Sequence, residues 1–205
     1  MQPHQHWESV YTTKSSKEVS WYRPHLETSL ALIDRLTPDR ASAILDIGAG
    51  ESTLIDDLLQ RGYTNLTALD ISETALRGAK ERLGQAAAQV NWLPADVCEV
   101  GIPLNRYDIW HDRAVFHFLT QPEQRLAYVT QASRSLKPGG HIIIATFGPE
   151  GPTRCSGLPV VRYDPASLQR EFDSRFRLLQ DLTEDHTTPS GTSQQFLYCV
   201  LQKLR

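Results

Sequence analysis

The stretch Ile44–Ser52, I-L-D-I-G-A-G-E-S, constrains this chain more than any other. Ile44, Leu45 and Ile47 flank Asp46 in a short apolar run of the kind that forms a buried parallel strand. Gly48 and Gly50 follow at once, and glycine permits a tight turn and a close backbone approach to a ligand. From Glu51 to Gln60 the apolar residues Leu54, Ile55, Leu58 and Leu59 take helical spacing. The glycines therefore mark a strand-to-helix junction, where open α/β sheets bind nucleotides at the carboxyl ends of their strands.

Two nucleotide signatures compete there. A dinucleotide fingerprint, G-x-G-x-x-G, would need its third glycine at Thr53, and no G-x-x-x-x-G-K-[ST] loop is present. What stands is D-x-G-x-G with the acid inside the strand end, which resembles motif I of the class I S-adenosylmethionine-dependent methyltransferases. The family pattern closes on a third small residue where this chain has Ser52. The resemblance implies that Asp46, Gly48, Ala49, Gly50 and Ser52 contact the cofactor; taken alone, a glycine pair after a strand is also a plain turn.

Further strand ends carry acids. Asn65–Asp70, N-L-T-A-L-D, ends twenty residues after Gly50 in a carboxylate placed to accept hydrogen bonds from ribose hydroxyls. The same acid can also signal the start of the next helix. Val90–Asp96 forms a third strand leading into Ala95-Asp96-Val97, and Tyr107–Asp112 a fourth. The resemblance places Ala95, Asp96 and Val97 beside the adenine, with the acid on the exocyclic amine and Val97 against the ring, and adds Ile71 to the cofactor contacts.

At 205 residues the chain has the length of one domain, 1–205, able to bury roughly 70% of its unfolded surface. A net charge of −3 argues against nucleic acid as a partner. Cys98, Cys155 and Cys199 are odd in number and widely spaced, without a C-x-x-C metal pair, as expected of reduced thiols in a cytoplasmic enzyme. No apolar stretch approaches the ~18 residues of a membrane span. The opening M-Q-P-H-Q-H-W-E lacks the basic and apolar regions of a signal peptide.

Residues 1–36 read as an N-terminal helical cap. Within Trp7–Tyr22, Trp7, Val10 and Tyr11 fall on one face of a helical turn. The cap can be packing alone, or a lid whose Tyr11 and Trp21 close on the methionine end of the cofactor, where an aromatic face gains roughly 0.5–2 kcal/mol from a sulfonium. The W-E-x-x-Y opening is similar to that of some methyltransferase-like proteins, a group that includes protein-lysine methyltransferases. Pro24–Leu36 follows as an amphipathic helix with Leu26, Leu30, Ile33 and Leu36 inward and His25 at its start. Ser72 is the expected N-cap of the helix after Asp70, which Gly84 ends.

Pro122–Leu136 predicts a helix, Lys137–Gly140 a turn, and His141–Phe147 a fifth strand, an L-K-P-G-G-x-I-I-I pattern shared with the family. Gly148–Tyr163 reads as a long loop and the candidate substrate loop (148–163). Asp164–Phe172 is a helix with Asp164 as N-cap. Phe176–Leu182 and Gln195–Leu201, joined through T-P-S-G, predict an antiparallel hairpin. The expectation is a Rossmann-like α/β fold of seven strands, helices on both faces, in the family order 3-2-1-4-5-7-6 with strand 7 antiparallel.

Methyl transfer from S-adenosylmethionine requires neither a metal nor an acid for the leaving group, and orientation supplies most of the rate. The candidates for the reacting end lie in Trp110–Leu119. His111 and Asp112 end the fourth strand and are expected to face the methionine end of the cofactor, Asp112 positioning the acceptor or the methionine amine. His111 or His117 is the base if one is needed. Asp112 can instead form a local ion pair with Arg113, and His117, between two phenylalanines, can be a packed core residue. The asparagine-proline-proline-tyrosine motif of adenine and glutamine methyltransferases is replaced by Asp112-Arg113-Ala114-Val115, which disfavours those acceptors. The favoured activity is methyl transfer to a small molecule or a protein side chain. A cofactor-binding module without transfer is the alternative, and a nicotinamide oxidoreductase a distant third. Neither acceptor nor oligomeric state is written in a recognisable motif.

Overall fold

The computed structural model describes residues 3–15 and 17–204. Met1, Gln2, Ser16 and Arg205, which belong to the stretches read above as 1–36 and 1–205, lie outside the described residues. The elements run α1 (Pro3–Thr13), α2 (Glu27–Leu36), β1 (Ile44–Ile47), α3 (Leu54–Gln60), β2 (Leu66–Asp70), α4 (Glu73–Leu83), β3 (Val90–Pro94), β4 (Tyr107–Arg113) and α5 (Pro122–Ser135). Then come β5 (Leu136–Phe147), β6 (Arg154–Cys155), β7 (Leu158–Pro159), α6 (Pro165–Phe172), β8 (Phe176–Thr187) and β9 (Ser193–Lys203).

Seven strands form one sheet in the order β3-β2-β1-β4-β5-β9-β8. The first five are parallel, and β9 runs antiparallel to both β5 and β8. Counted over the strands of this sheet alone, the order is the expected 3-2-1-4-5-7-6. The shift in numbering comes from a small β6–β7 ribbon inside the segment read as loop, turned by Ser156 and Gly157 at φ 48° and 78°.

Side chains alternate across the sheet, and the sequence of β1 follows that period. Ile44 joins a core with Leu30, Ile33, Leu54, Leu58 and Ile109 on the α2–α3 side, whereas Leu45 and Ile47 join Trp110, Tyr128, Leu168 and Phe172 on the α5–α6 side. Asp46 and His111 are neighbours in the β1–β4 register, on the same face as Ile44 and Ile109.

Several boundaries differ from the sequence reading. α3 begins at Leu54 rather than Glu51, because the glycine turn runs on until the Ser52 hydroxyl accepts from the Leu54 amide at 3.1 Å. Pro24 stands outside α2, and its carbonyl accepts from the Thr53 hydroxyl at 2.7 Å. Lys137–Gly140 is an irregularity inside β5 rather than a turn before it: Tyr107 pairs with Leu136, then Ile109 with His141. The hairpin is longer than its apolar pattern, since ladder bonds continue through the polar residues Asp185–Thr187 and Ser193–Gln195.

Candidate functional site

The glycine turn leaves β1 with Gly48 at φ 65° and Gly50 at φ 49°, backbone that favours residues without Cβ. A Cβ on Gly48 would stand 2.1 Å from Val115 Cγ2, and one on Gly50 2.5 Å from the Tyr11 hydroxyl. Asp70 at the end of β2 braces the turn. Its Oδ2 accepts from the Gly50 amide and its Oδ1 from the Ser72 amide, both at 2.8 Å. Burial raises the Asp70 pKa to about 7, against the pull of those two amides.

A cavity of about 440 Å³ opens along the carboxyl ends of β1 to β4. Its walls take Gly48, Asp70 and Ile71 from the first two strand ends, Ala95, Asp96 and Val97 from the third, and Arg113 and Val115 from the fourth. A smaller cavity of about 50 Å³ is lined by Asp46, Gly48, Ala49, Ser52 and His111, and shares Tyr11, Trp21, Gly48 and Arg113 with the larger one. Gly50 lines neither; it takes part through its amide on Asp70. Asp96 Oδ1 accepts from the Cys98 amide at 2.8 Å, which fixes the carboxylate after β3.

The aromatic wall comes from the N-terminal segment. Trp7 and Tyr11 lie one helical turn apart on α1 and meet Trp21, with ring centroids at 5.8 and 6.5 Å. Trp7 also packs edge-on against Phe118 at 4.9 Å. Glu8 Oε1 accepts from the Thr74 amide at 3.2 Å, so α1 is held by the N-terminus of α4, where a helix favours negative charge. Burial, together with the Asp70 and Glu51 carboxylates, pushes the Tyr11 hydroxyl well above its ordinary pKa, keeping it a neutral donor.

The residues ending β4 separate by face. His111 is buried, with Nδ1 2.7 Å from Asp46 Oδ1 and Nε2 2.8 Å from the Ser29 hydroxyl. Both ring nitrogens are thereby taken up, Nδ1 by Asp46 and Nε2 by Ser29. Asp46 Oδ2 is buried without a partner among the described residues.

Asp112 points the other way, which corrects the expectation that it faces the cleft beside His111: a one-residue step along a strand reverses the face. It is fully buried, lines neither cavity, and accepts from the Val115 amide at 2.9 Å, the Phe116 amide at 3.1 Å and the Tyr128 hydroxyl at 2.6 Å. Burial raises its pKa to about 6, the three donors opposing. The alternative ion pair with Arg113 is also absent: Arg113 Nε donates to the Tyr198 hydroxyl at 3.2 Å and Nη1 to the Trp21 carbonyl at 3.0 Å.

His117 is fully buried between Phe118 and Phe147, its Nδ1 accepting from the Phe147 amide at 3.2 Å. Burial, then the charge of Arg113, lowers its pKa to about 3, and it lines neither cavity.

His6, on the larger cavity, escaped the sequence reading, and Val115, Phe118, Leu158 and Pro159, on the same cavity, were covered only within the stretches Trp110–Leu119 and 148–163 and not named singly. Arg113 was read only as an ion-pair partner. The two-residue period of β4 carried the signal: Arg113 falls on the His111 side of the strand and opposite to Asp112.

Comparison with known proteins bears on the fold and the domain. A methyltransferase-domain family model matches residues 44–140. The mouse eEF1A lysine and N-terminal methyltransferase is 25% identical over 138 residues, 67% of this chain and 19% of that protein. The malonyl-[acyl-carrier protein] O-methyltransferase of Paenibacillus sp. (strain JDR-2) is 30% identical over 129 residues, 60% of this chain and 46% of that protein. The chain thus spans less than half the length of these two relatives. The structure of Burkholderia thailandensis 1,6-didemethyltoxoflavin-N1-methyltransferase superposes with a TM-score of 0.70 at 20% identity, covering 98% of this chain and 84% of that one. Over the matched residues the chain is similar to S-adenosylmethionine-dependent methyltransferases, and its fold is theirs.

Proposed function

We propose that the larger cavity binds S-adenosylmethionine and that the protein transfers its methyl group to a small molecule or a protein side chain. The observation carrying this reading is that Asp70 and Asp96, at adjacent strand ends, line one cavity with the Gly48 turn and the aromatic residues of the cap. The residues fit the cofactor. Each Asp70 oxygen that accepts a backbone amide keeps a second lone pair for a ribose hydroxyl. The unpartnered Asp46 Oδ2 suits an ammonium. When bound, S-adenosylmethionine supplies a methyl group on a sulfonium.

The chain's own part is to hold and exclude. Asp70 accepts the ribose hydroxyls, Asp96 and Val97 hold the adenine, and Ile71 and Ala95 complete its pocket. Trp7, Tyr11 and Trp21 close the cleft to water as a lid, so that the 1–36 cap belongs to the site. Alignment of this kind contributes roughly 7–11 kcal/mol in favourable cases. Leu158 and Pro159 of the 148–163 segment form the wall on the acceptor side. The relatives' names, one for a protein lysine and N-terminus and one for a carrier-bound malonyl group, support acceptors of both kinds. Cys98, Cys155 and Cys199 are free thiols, which supports a reducing, cytoplasmic setting for one 1–205 domain. No described helix is long and apolar enough to cross a membrane.

Calorimetric titration with S-adenosylmethionine and, separately, with NADH tests the reading. Saturable binding of the sulfonium alone is expected, followed by transfer of labelled methyl groups to thiols, amines, carboxylates or lysine proteins in a screen. Binding without transfer to any acceptor class would favour a cofactor-binding module. Preference for NADH would overturn the proposal.

A further inference from the structure

Arg113 stands apart from the other half-buried arginines of this protein. Its guanidinium lies 4.4 Å from the centroid of the Phe196 ring. Two of its nitrogens are committed to neutral acceptors, the Tyr198 hydroxyl and the Trp21 carbonyl. Nη2 is buried and has no partner among the described residues, and no described carboxylate forms a salt bridge with Arg113, in contrast to Arg23, Arg40, Arg61 and Arg82. A guanidinium is a permanent cation whose planar fork matches a carboxylate. Burying one against an aromatic ring with an open donor is costly unless an anion completes it.

Its position says where that anion sits. Arg113 lines both cavities, at the carboxyl end of β4. The smaller cavity also holds the opposite defect: the second oxygen of Asp46, buried and unpartnered. One open donor and one open acceptor on a single small cavity complement a zwitterion. In the larger cavity the neighbours beyond the strand ends include Trp7, Trp21, Phe118 and Leu158, beside the polar Gln121 and Gln124, and the apolar part complements an apolar body carrying one anionic group.

We infer that Arg113 is a carboxylate anchor at the junction of the two cavities, its Nη2 completing a charge-assisted hydrogen bond to the bound ligand. The carboxylate comes either from the amino-acid end of the cofactor or from the acceptor. The inference rests on the S-adenosylmethionine reading for the first source and not for the second.

Calorimetry on the wild-type protein, Arg113→Lys and Arg113→Met separates the sources. One arm compares S-adenosylhomocysteine with 5′-methylthioadenosine, which lacks the amino-acid end. The other compares phenylacetate with phenylacetamide, on free protein and on protein loaded with 5′-methylthioadenosine. A cofactor-borne carboxylate gives a wild-type preference for S-adenosylhomocysteine that falls roughly tenfold or more in Arg113→Met and is partly restored in Arg113→Lys. An acceptor-borne one gives the same pattern for phenylacetate over phenylacetamide. If Arg113→Met does not fold, the wild-type preferences and Arg113→Lys, which keeps charge but not the fork, still decide. Equal binding within each pair by the wild-type protein, or preferences unchanged in the variants, would overturn the inference. Failure of the S-adenosylmethionine reading looks different: 5′-methylthioadenosine then binds none of the proteins, and the phenylacetate pair on free protein still tests Arg113.

Discussion

Asp70 Oδ2 and the Gly50 amide are joined at 2.8 Å, so the carboxylate ending β2 holds the glycine turn that ends β1. The contact couples two strand ends that sequence separates by twenty positions, and it sets the state in which a ligand meets them. Burial raises the carboxyl's pKa to about 7.

That value predicts a pH dependence. Asp70 is raised above its ordinary value of 3.8, so the folded protein holds this proton more tightly than the unfolded chain. Its contribution to stability is fully present below that value and is lost as pH rises to about 7. If Asp70 holds the ribose as proposed, the hydroxyls donate to the ionised form, and affinity for S-adenosylhomocysteine should rise several-fold between about pH 6 and about pH 8. Asp70→Asn should bind roughly tenfold more weakly and lose the dependence. A flat wild-type profile in calorimetry would remove the assigned role.

Gly50 and Tyr11 should behave as a coupled pair. Gly50→Ala places a Cβ 2.5 Å from the Tyr11 hydroxyl and forces alanine to φ 49°, at a cost of about 2–4 kcal/mol from strain and crowding together. Tyr11→Phe removes the clashing oxygen and should recover about 1 kcal/mol of that loss in urea unfolding. Strict additivity of the two changes would contradict the contact.

Asp112 should matter for stability and little for ligand binding. Asp112→Ala strands the Val115 and Phe116 amides and the Tyr128 hydroxyl, at about 3–5 kcal/mol in sum. Because burial lifts this carboxyl to about 6, its stabilising contribution fades as pH rises from 3.8 towards that value. The deficit of Asp112→Asn relative to wild type should therefore be larger near about pH 5 than near about pH 8. Affinity for S-adenosylhomocysteine in the folded fraction should change by less than about twofold; a tenfold loss would return Asp112 to the site.

Trp7 should act through the cap. Trp7→Ala removes the contacts with Phe118 and Trp21, opening the larger cavity to water. The expected results are roughly tenfold weaker nucleoside binding and faster proteolytic cleavage between α1 and α2. Trp7→Phe should keep most of both. Unchanged proteolysis in Trp7→Ala would show that α1 is held by Glu8 on the Thr74 amide instead.

Much of this was legible in the chain. The apolar run at Ile44–Ile47, the glycines after it, and the acids at Asp70 and Asp96 follow from local rules: strand period, permitted φ, and charge at strand ends. The capping residues Ser72 and Asp164 were read correctly for the same reason, since a cap bonds within its own turn, as Ser72 to Ala75 and Asp164 to Ser167 show. The partners of Asp112 and Arg113 were not legible. Adjacent opposite charges suggest a local pair, but strand alternation turned one towards Tyr128 and the other towards Trp21 and Tyr198.

The sequence by itself determined the run of strands and helices, the glycine turn and the acids placed beside it, because each depends on contacts within a few residues or on a periodicity that survives in one dimension; the sheet order came from the family resemblance. Only the tertiary structure decided which of those groups are satisfied. His111 spends both ring nitrogens on Asp46 and Ser29, Asp112 is consumed by three donors, and Arg113 and Asp46 each keep one atom without a partner among the described residues. Hydrogen-bond satisfaction is a property of neighbours brought from far along the chain, such as Ser29, Trp21 and Tyr198, and sequence spacing holds no record of them.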